Sequence, residues 1–131
     1  MKRKIINPWS WQDQFGFVQG NHVSDASQVL YCSGQTSLDA DGNPLHPGDM
    51  EAQLRLALDN LETILAEAGM GFKDVVRLNY YTTDTNAFIQ SMPEALERLK
   101  NAECRPSSIM LGIDALFHPD ILVEIEATAT R

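Results

Sequence analysis

The sequence is poor in most of the residues that announce a chemistry. Its 131 residues hold two cysteines, three histidines, and 10 Lys and Arg against 18 Asp and Glu. Cys32 and Cys104 stand far apart and match no metal-ligand spacing, so they are expected to be reduced, part-buried thiols of a cytosolic protein. His22, His46 and His118 lie in turn-like segments with no HxxxH, HxH or Cys-His spacing, and no metal site is expected. A formal charge of −8 argues against a surface that tracks nucleic-acid phosphates, because polyanion affinity comes from concentrated positive charge. No Gly-x-Ser-x-Gly is present to make a nucleophile elbow. Gly69-Met70-Gly71 follows no strand, so it is no phosphate cradle. No apolar run approaches the roughly 20 residues that cross a bilayer. The opening Met1-Lys2-Arg3-Lys4-Ile5-Ile6-Asn7-Pro8 carries charge without an apolar core behind it, unlike a secretory signal. The expectation is a soluble, cytoplasmic protein with no membrane or nucleic-acid partner.

What is present reads as one α+β domain over residues 1–131. Apolar residues make up 44% and charged residues 21%, the ordinary globular balance. Between Asp49 and Gly69, Leu54, Leu58, Leu61 and Leu65 recur at helical spacing, with Asp49 suited to cap the start and Gly69 to end the last turn. A second helix is expected from Asn86 to Asn101, with Phe88, Met92, Leu96 and Leu99 on one face. Pro93 argues for a start near that residue or a bent first turn. Strands are expected at Val29–Cys32, running into Ser33-Gly34-Gln35, at Val75–Thr83, at Ser108–Ile113 and at Ile121–Thr130. The last alternates cleanly, with Ile121, Val123, Ile125, Ala127 and Ala129 on one face and Leu122, Glu124, Glu126 and Thr128 on the other.

The coarse order β, β, α, β, α, β, β gives two helices, enough to cover one face of a sheet. On the other face the two carboxylates are expected to share space with Leu78, Tyr80 and Leu122, too apolar a set for a fully wetted surface. Such a mixed face favours a homo-oligomer with polar residues gathered into interfacial clefts.

Several of these segments together resemble one family. Phe15-Gly16-Phe17-Val18-Gln19-Gly20, Leu30-Tyr31-Cys32-Ser33-Gly34-Gln35, Gln53 with Asp59-Asn60-Leu61 and Ala68-Gly69, the run Val75 to Asp84, and Val123-Glu124-Ile125-Glu126-Ala127 are similar, in order and spacing, to the RidA (YjgF-like, reactive intermediate deaminase) family. The resemblance implies a chorismate-mutase-like sandwich, a mixed β-sheet with two helices on one face, assembled as a barrel-like homotrimer with ligand clefts between subunits. Its enzymes hydrolyse reactive enamines or imines such as 2-aminoacrylate to a keto acid and ammonia, with no metal or organic cofactor. They use an arginine to grip the substrate carboxylate and a glutamate to position water.

Carried over by position, Glu124 is the water-positioning glutamate, and Ser33 and Gly34 form the Ser-Gly turn of the cleft. Phe17 stands where a tyrosine is common, and the family's Pro-x-Arg-Ser is replaced by Pro106-Ser107-Ser108-Ile109. Ser108 therefore takes the arginine's place, with Met110 two residues on in the same strand as a further candidate for the binding wall. Arg105 lies three residues upstream of Ser108, about 10 Å along an extended chain and on the opposite face, and would have to fold back across Pro106 to reach the cleft. Trp9 and Trp11 either cover a subunit seam or, with Phe15 or Phe17, wall a pocket suited to a flatter or larger ligand.

Three functions stay open on the sequence. The first is a hydrolytic deaminase of a small enamine or imine unlike 2-aminoacrylate or held differently from it. The second is a non-catalytic trimer that binds a small ligand, and the third is RNA cleavage or inhibition of translation.

Overall fold

The leucine spacing decides the first layer. In a computed structural model describing residues 1–131, α1 spans Met50–Glu67 and its Leu54, Leu58, Leu61 and Leu65 are each at most 1% exposed. The Asp49 carboxylate accepts the Ala52 N–H at 3.1 Å, and beyond the helix Gly69 takes the left-handed φ of 70° while the Met70 N–H returns to the Leu65 carbonyl.

Helix α2 spans Thr85–Asn101, opened by the Asp84 carboxylate on the Ala87 N–H at 3.0 Å. It does not begin at Pro93, since one continuous helix runs through the proline. Pro93 and Ile89, the residue whose carbonyl loses its partner, both lie on the exposed side, where water can take the freed acceptor. Arg98 ties the two helices together, reaching Asp59 at 2.7 Å and Glu62 at 2.9 Å on α1.

Six strands complete the fold. They are β1 Lys2–Ile6, β2 Gly20–Ser24, β3 Val29–Tyr31, β4 Val75–Thr82, β5 Ser107–Gly112 and β6 Val123–Thr130. The main sheet has the order β3-β6-β4-β5, with β4 and β5 parallel and the other pairs antiparallel, so it is mixed as expected. Helix α2 makes the crossover between the two parallel strands. Both helices share one core with the inward residues of β4 and β6, among them Val75, Leu78, Tyr80, Val123, Ile125 and Ala127.

Two expectations are corrected. Leu78 and Tyr80 do not face away from the helices; they lie inside the core, and Asn79 and Tyr81 take the open side. An irregularity in the β4–β6 pairing between Val75 and Arg77 shifts the phase of the strand. The second correction is at the N-terminal end, where β1 and β2 pair as a separate antiparallel ribbon. Asn21 and Arg3 anchor it to the main body by donating to the Val76 and Val75 carbonyls and to the carbonyl of Arg105.

Cys32 and Cys104 are both buried and unpaired. No helix is long and apolar enough to cross a membrane.

Candidate functional site

The open sheet face carries the charges. Alternation along β6 puts Glu124 and Glu126 there, and register places Glu124 opposite Tyr81 and Glu126 opposite Asn79. On the other side of β6, Cys32 pairs with Ala127 and Gln35 with Ile125, so Ser33 and Gly34 bulge out where one residue would fit. Gly34 backs onto Glu124 so closely that a Cβ there would fall 1.9 Å from Glu124 Oε1 and 2.7 Å from its Cδ. The carboxylate thus occupies the space of the missing side chain. The N–H groups of Ser33 and Gly34 donate to no group in the chain, leaving two main-chain donors at the rim of the bulge.

Two amides on α1, Gln53 buried and Asn60 half-buried, hold the strands that carry this site. Gln53 Nε2 donates to the carbonyls of His46 and Asp120 at 2.9 and 2.7 Å, and its Oε1 accepts the Leu122 N–H at 2.8 Å, which fixes the entry to β6. Asn60 Nδ2 donates to the Thr36 and Leu38 carbonyls, both at 3.0 Å, just after the bulge.

The two carboxylates differ in character. Glu126 accepts from the Tyr81 hydroxyl at 2.5 Å and from Asn79 Nδ2 at 3.2 Å, and those bonds hold its pKa below the ordinary value. Glu124 accepts no hydrogen bond from a side chain. Partial burial, helped by the charge of Glu126, pushes its pKa up. One carboxylate is fixed and ionised. Its neighbour is free to trade a proton with a water molecule or a ligand.

The other candidate residues lie elsewhere. Phe17, Ser108 and Met110 line a cavity of about 620 Å³ on the helix side of the sheet, between β5 and α2. A single protomer does not bring them to Glu124, Ser33 and Gly34. Arg105 is not in that cavity. It lines a neighbouring groove, which shares Gly16, Phe17 and Leu96 with it, and a shallow depression bounded by Asn7, Trp9, Trp11 and Asp13. Trp11 stands edge-on to Phe15 and Phe17, with ring centres 6.5 and 5.9 Å apart, so it supports the cavity wall from outside. No three His, Cys, Asp or Glu side chains gather in a way that could hold a metal ion.

Sequence reasoning offers Tyr31 and Tyr81 as hydroxyl donors without placing either, and it misses Asn79, because the partners of Glu126 depend on the register of two strands. Gln53 and Asn60 were visible only as parts of a family pattern, although a glutamine and an asparagine next to a leucine stripe are the signal that could have marked them.

Comparison with known proteins shows the family and the fold. Residues 16–131 match the model of the family described as Endoribonuclease L-PSP. The chain is 31% identical to a RutC family protein of Pyrococcus horikoshii over 81% of this chain and 82% of that one. It is 27% identical to the putative reactive intermediate deaminase TdcF of Escherichia coli over 98% of both. Among solved structures, the conserved Rid-family protein of unknown function YyfB from Yersinia pestis superposes with a TM-score of 0.86 at 30% identity over the whole of both chains. A structure of E. coli TdcF with bound serine superposes with a TM-score of 0.71 at 26% identity, covering 96% of this chain and 90% of that one.

Proposed function

The chain belongs to the Endoribonuclease L-PSP family, the RidA-like Rid proteins, and from that premise we propose that it hydrolyses a small enamine or imine at clefts between the subunits of a homotrimer. The observation that carries this reading is the Glu124 carboxylate seated over Gly34, with two unused N–H donors beside it.

In the reaction, Glu124 accepts a proton from water as the water oxygen bonds to the imine carbon and the C=N π pair moves to nitrogen. That proton passes to nitrogen and gives a carbinolamine. Glu124 then takes the proton of its new hydroxyl as the C=O bond forms and the C–N bond breaks, and delivers it to the departing nitrogen, which leaves as ammonia. An enamine first takes a proton on carbon to become the imine. The raised pKa of Glu124 suits both halves of this exchange. The N–H groups of Ser33 and Gly34 orient the polar end of the ligand, and Glu126, held by Tyr81 and Asn79, keeps its charge throughout. The proton transfers use the Glu124 carboxylate and water.

The two-sidedness of the site supports the assembly. Glu124 and the Ser33–Gly34 bulge lie on one sheet face and the Phe17–Ser108–Met110 cavity on the other, so a cleft that uses both takes them from two copies. The open face also has apolar margins: Val29 and Tyr31 on one edge strand are 49% and 79% exposed, and Ile109 and Leu111 on the other are 41% and 42% exposed. Margins of that kind suit burial against another copy.

The test is to generate imines of several carboxylated and uncharged carbonyl compounds and to follow release of ammonia and carbonyl product. The expected result is acceleration that Glu124→Gln reduces at least ~100-fold. Acceleration that survives this substitution overturns the assignment. Ser108 favours one second reading: without a cation at this position, the chain binds a small ligand and does no chemistry. Binding to the wild-type protein with no imine hydrolysed decides for that reading. The family's description as an endoribonuclease carries less weight, because a charge of −8 opposes RNA binding.

A further inference from the structure

The cavity between β5 and α2 has an unusual lining. None of the residues around its ~620 Å³ carries a charge, and Phe17, Tyr80, Phe88, Met92 and Met110 form its aromatic and thioether walls. A volume of that size suits a small organic ligand. The charges at this end of the molecule, Arg105, Lys100, Glu97 and Glu103, line the neighbouring groove instead. Ser108, the polar residue at the arginine position, gives its hydroxyl proton to the Leu78 carbonyl and so offers no donor to a guest.

Tyr80 is the exception within these walls. It is 5% exposed, yet its hydroxyl makes no hydrogen bond in the chain, although the ring rests on Phe88 with centres 5.3 Å apart. Every fully enclosed side-chain nitrogen or oxygen elsewhere has a partner. The Tyr80 hydroxyl is therefore not sealed from water, and Tyr80 is one of the residues that line the cavity. An apolar guest that displaces this water leaves the hydroxyl without a partner, and a guest with one acceptor replaces the water. A carboxylate placed in the same cavity loses its water and meets no countercharge.

We propose that this cavity binds an uncharged aromatic or alicyclic carbonyl compound, or its neutral imine, with the Tyr80 hydroxyl donating to its single polar group. As a statement of substrate class it rests on the deaminase reading above; as a statement about binding it does not.

The experiment titrates the full-length protein by calorimetry with phenylacetone, phenylpyruvate and propylbenzene, which share a phenyl group and a short side chain and differ in polar groups. Phenylacetone should bind at least about tenfold more tightly than phenylpyruvate. It should also bind about fivefold more tightly than propylbenzene. Tyr80→Phe, with folding checked by circular dichroism, should abolish the preference over propylbenzene and leave propylbenzene itself unchanged. Ser108→Arg should reverse the order of phenylacetone and phenylpyruvate.

Phenylpyruvate binding as tightly as phenylacetone to the wild type overturns the proposal. So does a ketone preference that persists in Tyr80→Phe. If the preference holds while no neutral imine is hydrolysed, the binding site stands and the deaminase reading falls. If neutral imines are hydrolysed while Tyr80→Phe and Ser108→Arg change neither binding nor rate, the deaminase reading stands and this site falls.

Discussion

A carboxylate that fills the space of a missing side chain can be displaced by a single methyl group. Gly34→Ala puts a Cβ where Glu124 Oε1 now lies, and the flexible end of that glutamate, not the backbone, has to move. The expected outcome is a change in stability within about 1 kcal/mol by urea titration. A fall in kcat/KM of about 100-fold should accompany it, because the displaced group is the proposed base. The pH dependence follows from the directions of the two shifts. Glu124 is raised, so the acid limb of kcat/KM should lie above the ordinary glutamate range, with activity gained as pH rises through it. For stability the sign is opposite: the folded state holds this proton more tightly than the unfolded chain, so stability falls as pH rises from the unfolded to the folded value. Glu126→Gln removes the neighbouring charge that helps raise Glu124. The acid limb should then move to lower pH, read from a pH–rate profile at saturating and at low substrate.

Among the elements, α1 is legible in the sequence because four leucines at helical spacing, an aspartate cap and a glycine terminator all point the same way. The alternation of β6 is equally plain, and period two alone puts Glu124 on the face opposite Val123 and Ile125. Strand β4 is not legible in phase. Its apolar residues fall on both parities, and the irregularity after Val75 decides which of Leu78 and Asn79, or Tyr80 and Tyr81, points inward. The β1–β2 ribbon escapes notice because half its residues are wet and its anchoring comes from Arg3 and Asn21, not from an apolar stripe. Gln53 links these elements. Replacing it with leucine leaves the Asp120 carbonyl and the Leu122 N–H without partners at the entry to β6 and takes one of two donors from the His46 carbonyl, and should cost about 3 kcal/mol of unfolding free energy, measured by urea denaturation.

At the scale of the whole molecule, the division of candidate residues between two sheet faces makes a prediction about mixtures. Glu124→Gln and Met110→Arg should each be inactive alone, the first for want of a base and the second because a charge fills the apolar cavity. Unfolded together in equal amounts and refolded, they should regain activity, since about a quarter of the clefts in randomly mixed rings draw both halves from unaltered positions. Size-exclusion chromatography with light scattering should report three copies in each case. Recovery absent from properly assembled mixtures would mean that one protomer supplies a complete site. The same division has a consequence for dose. In the shared cleft proposed above, a newly made chain is inert until it meets its siblings, so output should climb more steeply than copy number at low expression.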